Sequence, residues 1–240
     1  MSRISSQGTT IFIESADAPA GDPITAAAKA KPCVLTVTTA TAVVGDVVVP
    51  RGTGFSSLDD RPFPVIAAAA GSITLGDSDT TGEAGVVAAG TLELPPLEEL
   101  CRSTFTINNP AGATIDVTTL CDDAHKIVSG LPAIGTWQAN GFYDKDDVAM
   151  WAARDYYRSG EIVTFKVIFR DGSGLAFAAN VNTFDVTAGI NAAVTNNMGG
   201  NISGLVSAIP APADITGLEA DGETRGGSRS RRGAADRVAA

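Results

Sequence analysis

The sequence predicts a mainly β protein that carries one flanking α-helix. Short runs rich in β-branched residues are separated by clusters of Gly, Pro, Asp and Asn, which is the pattern of strands joined by turns. One segment, residues 145–159, repeats apolar residues at helical spacing. The chain has 240 residues, of which 44% are hydrophobic and 18% charged, so it is long enough and apolar enough to bury a core.

Residues 1–32 are predicted to form an N-terminal arm and the first strand. Residues 1–8 are polar, and residues 9–14 (TTIFIE) have the composition of a strand. Turn-forming residues then continue to about Lys31. We therefore expect a single strand before the first larger block.

Residues 33–94 are predicted to form a small β-rich module. Its predicted strands are residues 33–39, 46–50, 62–67 and 72–76. Short strands at a spacing of about ten residues are typical of a small barrel or sandwich. The paired prolines of residues 94–97 (LPPL) end this module, because they cannot continue a helix or a central strand.

Residues 95–209 are predicted to form the main β-domain. Its predicted strands are residues 102–108, 112–118, 134–142, 161–170 and 175–187, with a bulge after Asn182 and Thr183. The apolar face of the fourth of these strands is formed by Val163, Phe165, Val167 and Phe169. Its opposite face is only half polar, which is expected where a neighbour covers it.

The single helix is predicted at residues 145–159. Asp144 is the expected N-cap, and Gly160 ends the helix. The residues that recur at helical spacing are Val148, Trp151, Ala152 and Tyr156. We expect this narrow apolar stripe to pack against the sheet. Residues 210–240, rich in Gly, Ser and Arg after two prolines, are predicted to be a disordered tail.

The net charge of −10 argues against binding of nucleic acid by the folded part. Residues 210–240 contain as many basic as acidic residues, so the acidic excess belongs to residues 1–209. Stable binding to phosphates needs clustered Lys and Arg, whereas an acidic body repels DNA and leaves it mobile. Solubility alone is the other interpretation of this charge.

No catalytic residue, cofactor site or metal site is predicted. His125 is the only histidine; it follows Cys121 by one helical turn, but Asp122 and Asp123 disfavour a reactive thiolate there. The cysteines match no metal motif, and their low, odd number favours reduced thiols in a protein made in the cytosol. Residues 77–82 begin like a calcium loop but lack its closing Glu, so a turn is favoured. Neither a signal peptide nor a membrane helix is expected.

The order of motifs in the main domain resembles the major tail tube protein family of long-tailed bacteriophages. The matching segments cover about residues 98–209, with residues 9–14 as a possible first strand, and are residues 116–123 (DVTTLCDD), 129–142 (SGLPAIGTWQANGF), 144–147 (DKDD), 159–160 (SG) and 171–174 (DGSG). The resemblance implies a tail-tube-type β-sandwich or barrel with one flanking helix. It also implies that residues 33–94 are an additional module, inserted between early strands or placed on the outer surface.

The resemblance implies a structural virion protein whose copies form hexameric rings that stack into a tube, the conduit for DNA ejection. Its partners would be further copies of itself, other tail proteins (tape measure, tail terminator, baseplate or tip) and double-stranded DNA in transit without specific binding. It would be made in the host cytoplasm and reside in the virion tail. The assembly candidates are Asp116, Thr118, Thr119, Trp137, Trp151, Phe165 and Phe177, and the lumen candidates are Gln138 and Asn140.

Three alternatives stay open at this point. In the first, the chain is a tube protein of a contractile injection or secretion apparatus. In the second, residues 33–94 are a surface module that binds carbohydrate or protein. The third alternative is an enzyme, for which Cys121 and His125 are the only candidate pair.

Overall fold

The computed structural model describes residues 8–15, 19–83, 90–109, 114–116, 127–129 and 134–212. These residues form a mainly β structure with one helix, as the sequence predicts. The strands are β1 Thr10–Glu14, β2 Asp22–Ala27, β3 Cys33–Val37, β4 Val47–Arg51, β5 Phe63–Ala69, β6 Ser72–Leu75, β7 Gly90–Glu93, β8 Leu97–Glu99, β9 Thr104–Asn108, β10 Thr114–Asp116, β11 Ile127–Ser129, β12 Thr136–Phe142, β13 Ile162–Ile168, β14 Gly174–Asn180, β15 Thr183–Thr187 and β16 Thr195–Ile209. The helix α1 is Val148–Ser159.

Eight strands form one sheet that folds over on itself along β16. Residues 202–209 of β16 pair with β14, and the order continues through β13 and β1 to β8. Residues 195–201 of β16 pair with β12, which is followed by β9, while β15 pairs with the opposite side of β16. The two halves face each other as a sandwich. We call the half containing β13 and β14 the covered sheet and the half containing β12 and β15 the open sheet.

Aromatic side chains from both halves fill the space between them. The Trp137 ring lies 4.5 Å from the Phe165 ring, and the Phe165 and Phe177 rings are stacked at 5.3 Å. Phe105 of the open sheet lies 6.3 Å from Phe177. The alternation in β13 is as predicted, since Val163, Phe165 and Val167 are all buried.

The fold of the sheet depends on a close approach at Asn180, the last residue of β14. The carbonyl of Asn180 accepts a hydrogen bond from the Trp137 indole at 3.0 Å, and its side-chain oxygen accepts one from the Asn201 amide at 2.8 Å. A Cβ on Gly200 would lie only 1.8 Å from the Asn180 carbonyl oxygen. Glycine is therefore required where β16 passes from one half to the other.

Between β1 and β8 the chain makes a second, smaller structure, a closed six-stranded barrel in the order β2-β3-β6-β5-β4-β7. Its interior is apolar and includes the fully buried Leu35, Phe55, Phe63 and Ile73. β1 and β8 are neighbours in the large sheet, so the chain leaves and re-enters that sheet at adjacent positions.

The helix packs against β1, β8 and β15 and closes one side of the sandwich. It begins later than predicted, with Asp147 rather than Asp144 as N-cap, because the Asp144 carboxylate accepts the Asp146 amide in a preceding turn. Gly160, at φ 74°, ends the helix as predicted. The buried face consists of Ala149, Met150 and Ala153. Val148 of the predicted stripe is 63% exposed.

Several strands lie where the sequence predicted turns or no element. Residues 22–27 form β2 although only Ile24 of that strand is buried, so the apolar alternation is too weak to detect. β16 buries Asn196, Gly199 and Gly200, which are not apolar side chains. β7 and β8 are too short to show a period. The predicted division into four domains stays a prediction, and the tail at residues 213–240 lies outside the described residues.

Gly200→Ala is expected to lower the free energy of unfolding by about 3 kcal/mol, because the new methyl group overlaps the Asn180 carbonyl and forces the backbone apart. Urea denaturation measures this. Gly82→Ala is the matched control, since its Cβ would meet no atom within 4 Å. Equal stability of the two variants would contradict the required close approach.

Asp147→Ala is expected to lower the free energy of unfolding by about 3 kcal/mol. Asp147 caps α1 by accepting the Met150 amide at 3.0 Å, and it lies 3.6 Å from Arg102, whose side chain is fully buried. Removing the carboxylate leaves the Met150 amide without its hydrogen-bond acceptor and the buried Arg102 guanidinium without its acidic partner. Asp146→Ala, at an exposed position paired only with Lys145, is the control and should change stability by less than about 0.5 kcal/mol. A similar loss in both variants would contradict this role.

Candidate assembly surface

The barrel of the same chain covers the outer face of the covered sheet. Lys166 of β13 donates to the Gly45 carbonyl at 2.8 Å, and Ser207 of β16 donates to the Pro62 carbonyl at 3.0 Å. Val47 of the barrel packs against Ala176 and Ile209. The half-polar second face of β13 is thus covered from within the chain. The neighbour expected to cover this face is therefore the barrel of the same chain.

Partly buried charged groups lie at this junction. Glu14 accepts the Thr164 amide at 2.9 Å, and burial raises the pKa of its carboxyl although the Thr164 hydrogen bonds and Arg51 oppose this. Burial also lowers the pKa of Lys166, with Asp46 opposing. Arg51 is paired with Asp60 and Glu93. Lys166 joins the covered sheet to the barrel, whereas Arg51 and its two partners all belong to the barrel.

The outer face of the open sheet is exposed and carries mainly uncharged polar side chains. Three rows cross the strands: Thr104, Asn140, Asn197 and Asp185 form the first, Thr106, Gln138, Gly199 and Thr183 the second, and Asn108, Thr136 and Asn201 the third. Asp185 is the only charged residue in them. Gln138 donates to Asn197 and Asn140 donates to Thr104, each at 3.2 Å. The face offers hydrogen-bonding groups but no positive charge.

Both edges of the open sheet are unpaired among the described residues. β9 bonds only to β12, and β15 bonds only to β16. Exposed edge strands are sites at which another chain can add, and natural monomers usually block them. On β15 the apolar Val186 is 49% exposed. The two edges lie on opposite sides of the sheet, so they are available to different neighbours.

The residues predicted to act in assembly differ in burial. Trp137, Phe165 and Phe177 are buried in the core of the single chain, so they are not available to contact another copy, and their assignment as contacts is corrected. The alternation of apolar residues indicates a face that is buried. The sequence alone does not show whether such a face is buried in the core of one chain or in an interface between chains. Trp151 is half-buried, and its indole donates to the Lys145 carbonyl at 2.8 Å.

Asp116 lies in β10, opposite Ile127 of β11. Thr118 and Thr119 lie outside the described residues. The lumen candidates Gln138 and Asn140 are both on the exposed face of the open sheet. Sequence analysis did not predict the polar rows that β15 and β16 contribute. The available signal was the polar residues or Gly at alternate positions of residues 183–187 and 195–201.

Neither a metal cluster nor a membrane helix is found in the described part of the chain. It holds no group of three or more His, Cys, Asp or Glu side chains arranged for a metal ion. In the turn at residues 77–82 the Asp79 carboxylate accepts hydrogen bonds from the Thr81 amide and hydroxyl and pairs with Lys31, and these contacts lower its pKa to about 2. Within the described ranges no helix has the length and apolarity to cross a bilayer. Cys121 and His125 lie outside these residues.

No protein-family model matches this chain, and no curated protein matches it. Parts of this chain are similar to chains of solved structures. A chain from "Virion of native gene transfer agent (GTA) particle" is 19% identical with a TM-score of 0.41, over 48% of this chain and 89% of that one. A chain from "Tail of empty GTA particle" is 19% identical with a TM-score of 0.40, over 46% and 84%. The SPP1 tail tube is 13% identical with a TM-score of 0.35, over 55% and 77%.

Glu14→Gln is expected to stabilise the protein by about 0.5 kcal/mol at about pH 7 and to have little effect near pH 4. A raised carboxyl pKa means that the folded state favours the protonated form, so stability is lost as the pH rises through that pKa. Glutamine removes this charge and keeps an oxygen for the Thr164 amide. Urea denaturation at the two pH values measures the difference, with Glu98→Gln, at an exposed position, as control. A benefit that does not grow with pH would contradict burial as the cause.

Proposed function

We propose that this protein is a structural virion subunit whose copies assemble through the open sheet into rings, which stack into a phage tail tube. The observation that carries this proposal is the open sheet itself: its two edges lack a partner strand among the described residues, and its outer face is polar without positive charge. The motif order of the main domain supports the same function.

Ring formation follows from the two different edges. When β9 of one copy lies beside β15 of the next, the contact joins unlike surfaces, and such head-to-tail contacts close into a ring when the rotation per subunit allows it. Backbone hydrogen bonds across the contact satisfy both exposed edges. The open sheets then join into one continuous wall. We propose six copies per ring, as the sequence resemblance implies.

The polar rows of the open sheet suit a wall that faces DNA in transit. Gln138 and Asn140 lie in adjacent rows, and neither row contains Lys or Arg. Without clustered cations the wall cannot exchange counterions with phosphates, so DNA moves past it without specific binding. We propose that these two residues face the lumen. The barrel, on the opposite side of the sandwich, then decorates the outside of the tube.

In this proposal the protein is made in the host cytoplasm and resides in the virion tail. It contacts further copies of itself and the proteins that end or fill a tail: a tape measure, a tail terminator, and a baseplate or tip. The proposed role needs no catalytic group and no cofactor.

Val186→Lys is expected to abolish ring and tube formation while leaving the monomer folded. The substitution places a charge on the edge strand β15, where natural proteins use lysine to block pairing. Light scattering and negative-stain electron microscopy of the concentrated protein measure assembly, and thermal unfolding measures the fold.

The matched control is Val43→Lys, which changes a 61% exposed valine of the barrel and should assemble as the unmodified chain does. Rings from Val186→Lys in normal yield would contradict the edge contact. An unmodified protein that stays monomeric at high concentration, also in the presence of a tail initiator complex, would contradict the proposed function as a whole.

A further inference from the structure

The two ends of the sandwich carry uncharged apolar features of opposite shape. At one end, the hairpin between β15 and β16 consists of residues 188–194 (AGINAAV), and Ile190 at its tip is 97% exposed. Phe142, at the end of β12 opposite Thr195, is 64% exposed beside it. We call this projection the apolar tip. Such a group of exposed apolar side chains marks a contact surface.

The other end has a hollow. It is a shallow pocket of about 280 Å³ lined by Ile134, Ile162, Asn180, Asn201, Ile202, Ser203 and Gly204. Ile134 is 70% exposed and Ile162 is 58% exposed. β16 bulges beside the hollow, between its pairs with Ala176 and Ala178, and Gly204 in this bulge adopts φ 80°. We call this the apolar hollow.

The apolar tip and the apolar hollow face in opposite directions along the strands. β12 starts next to the hollow, with Thr136 opposite Asn201, and ends at the tip, with Phe142 opposite Thr195. At the rise of a β-strand this places them about 20 Å apart. A projection and a hollow at opposite ends of one molecule join copies head to tail. Such a contact is unlike on its two sides, and it extends without closing when the two surfaces point in opposite directions along one axis.

The lack of charged side chains at both surfaces favours a second copy of this chain as the occupant. The chain has a net charge of −10, so most surfaces of two copies repel each other. Neither residues 188–194 nor the residues lining the hollow include Asp, Glu, Lys or Arg. Joining these two surfaces buries apolar side chains without removing a charge from water.

We propose that the apolar tip of one copy inserts Ile190 into the apolar hollow of the next copy and that this contact stacks one ring on another. The inference rests on the proposed function, and it adds the axial contact to the lateral contact made by the sheet edges. The lateral and axial contacts use different residues, so each is open to a separate test.

Disulfide trapping tests the contact directly and does not depend on tube formation. Ile190→Cys and Ile162→Cys are each made in a chain that also carries Cys101→Ser and Cys121→Ser, while the buried Cys33 is kept. The two proteins are mixed at high concentration and treated with a mild oxidant. We expect a disulfide-linked dimer in the mixture and little in either protein alone. Absence of the mixed dimer, or a dimer of Ile190→Cys alone, would overturn the head-to-tail contact.

Assembly of Ile190→Asp distinguishes the axial contact from the lateral one. We expect rings in normal yield, while the protein concentration needed for tubes rises about tenfold, the effect of losing one buried aliphatic side chain. Val43→Asp, at an exposed valine of the barrel, is the matched control. Tubes from Ile190→Asp at the unmodified concentration would refute the axial contact and leave the proposed function intact. Loss of rings in this variant would also refute it, by showing that Ile190 acts laterally.

Discussion

The whole architecture depends on one strand that belongs to both halves of the sandwich. β16 pairs with β14 along one half of its length and with β12 and β15 along the other. The passage between them requires Gly200 against the Asn180 carbonyl and is fixed by the Trp137 indole. Because the strand is continuous, the orientation of the open sheet is set by the covered sheet. The orientation of the open sheet is therefore set by the backbone contact between Gly200 and Asn180.

The barrel decides which face of the sandwich is available. It packs Val47 against Ala176 and Ile209 and binds Lys166 and Ser207 through backbone carbonyls. Without it, the outer face of the covered sheet would also be exposed, and two faces would compete for neighbours. With it, the polar face of the open sheet is the sandwich face left exposed among the described residues. Covering one face gives the molecule a defined inside and outside in any assembly.

Strong alternation made much of the fold predictable from the sequence. The strand at residues 161–170, the helix and its Gly160 stop, and four of the six barrel strands all show a clear period or terminal signal. β2 and β16 escaped prediction because their buried positions are few or are filled by Asn and Gly. Gln138 and Asn140 are both exposed, because exposure in a strand follows the period of two, and their position in a lumen stays a prediction. Core aromatics such as Phe177 were not separable from interface residues, because burial within a chain and burial between chains select the same side chains.

The insertion point of the barrel has a consequence for how this protein can diversify. The chain departs after β1 and returns at β8, two strands that are hydrogen-bonded to each other, so the ends of the insert are adjacent. A different domain with neighbouring termini can replace the barrel without changing the order of any strand in the sandwich. The replacement must only present an apolar footprint to Ala176 and Ile209 and an acceptor to Lys166. The barrel and the sandwich are thus free to evolve at different rates.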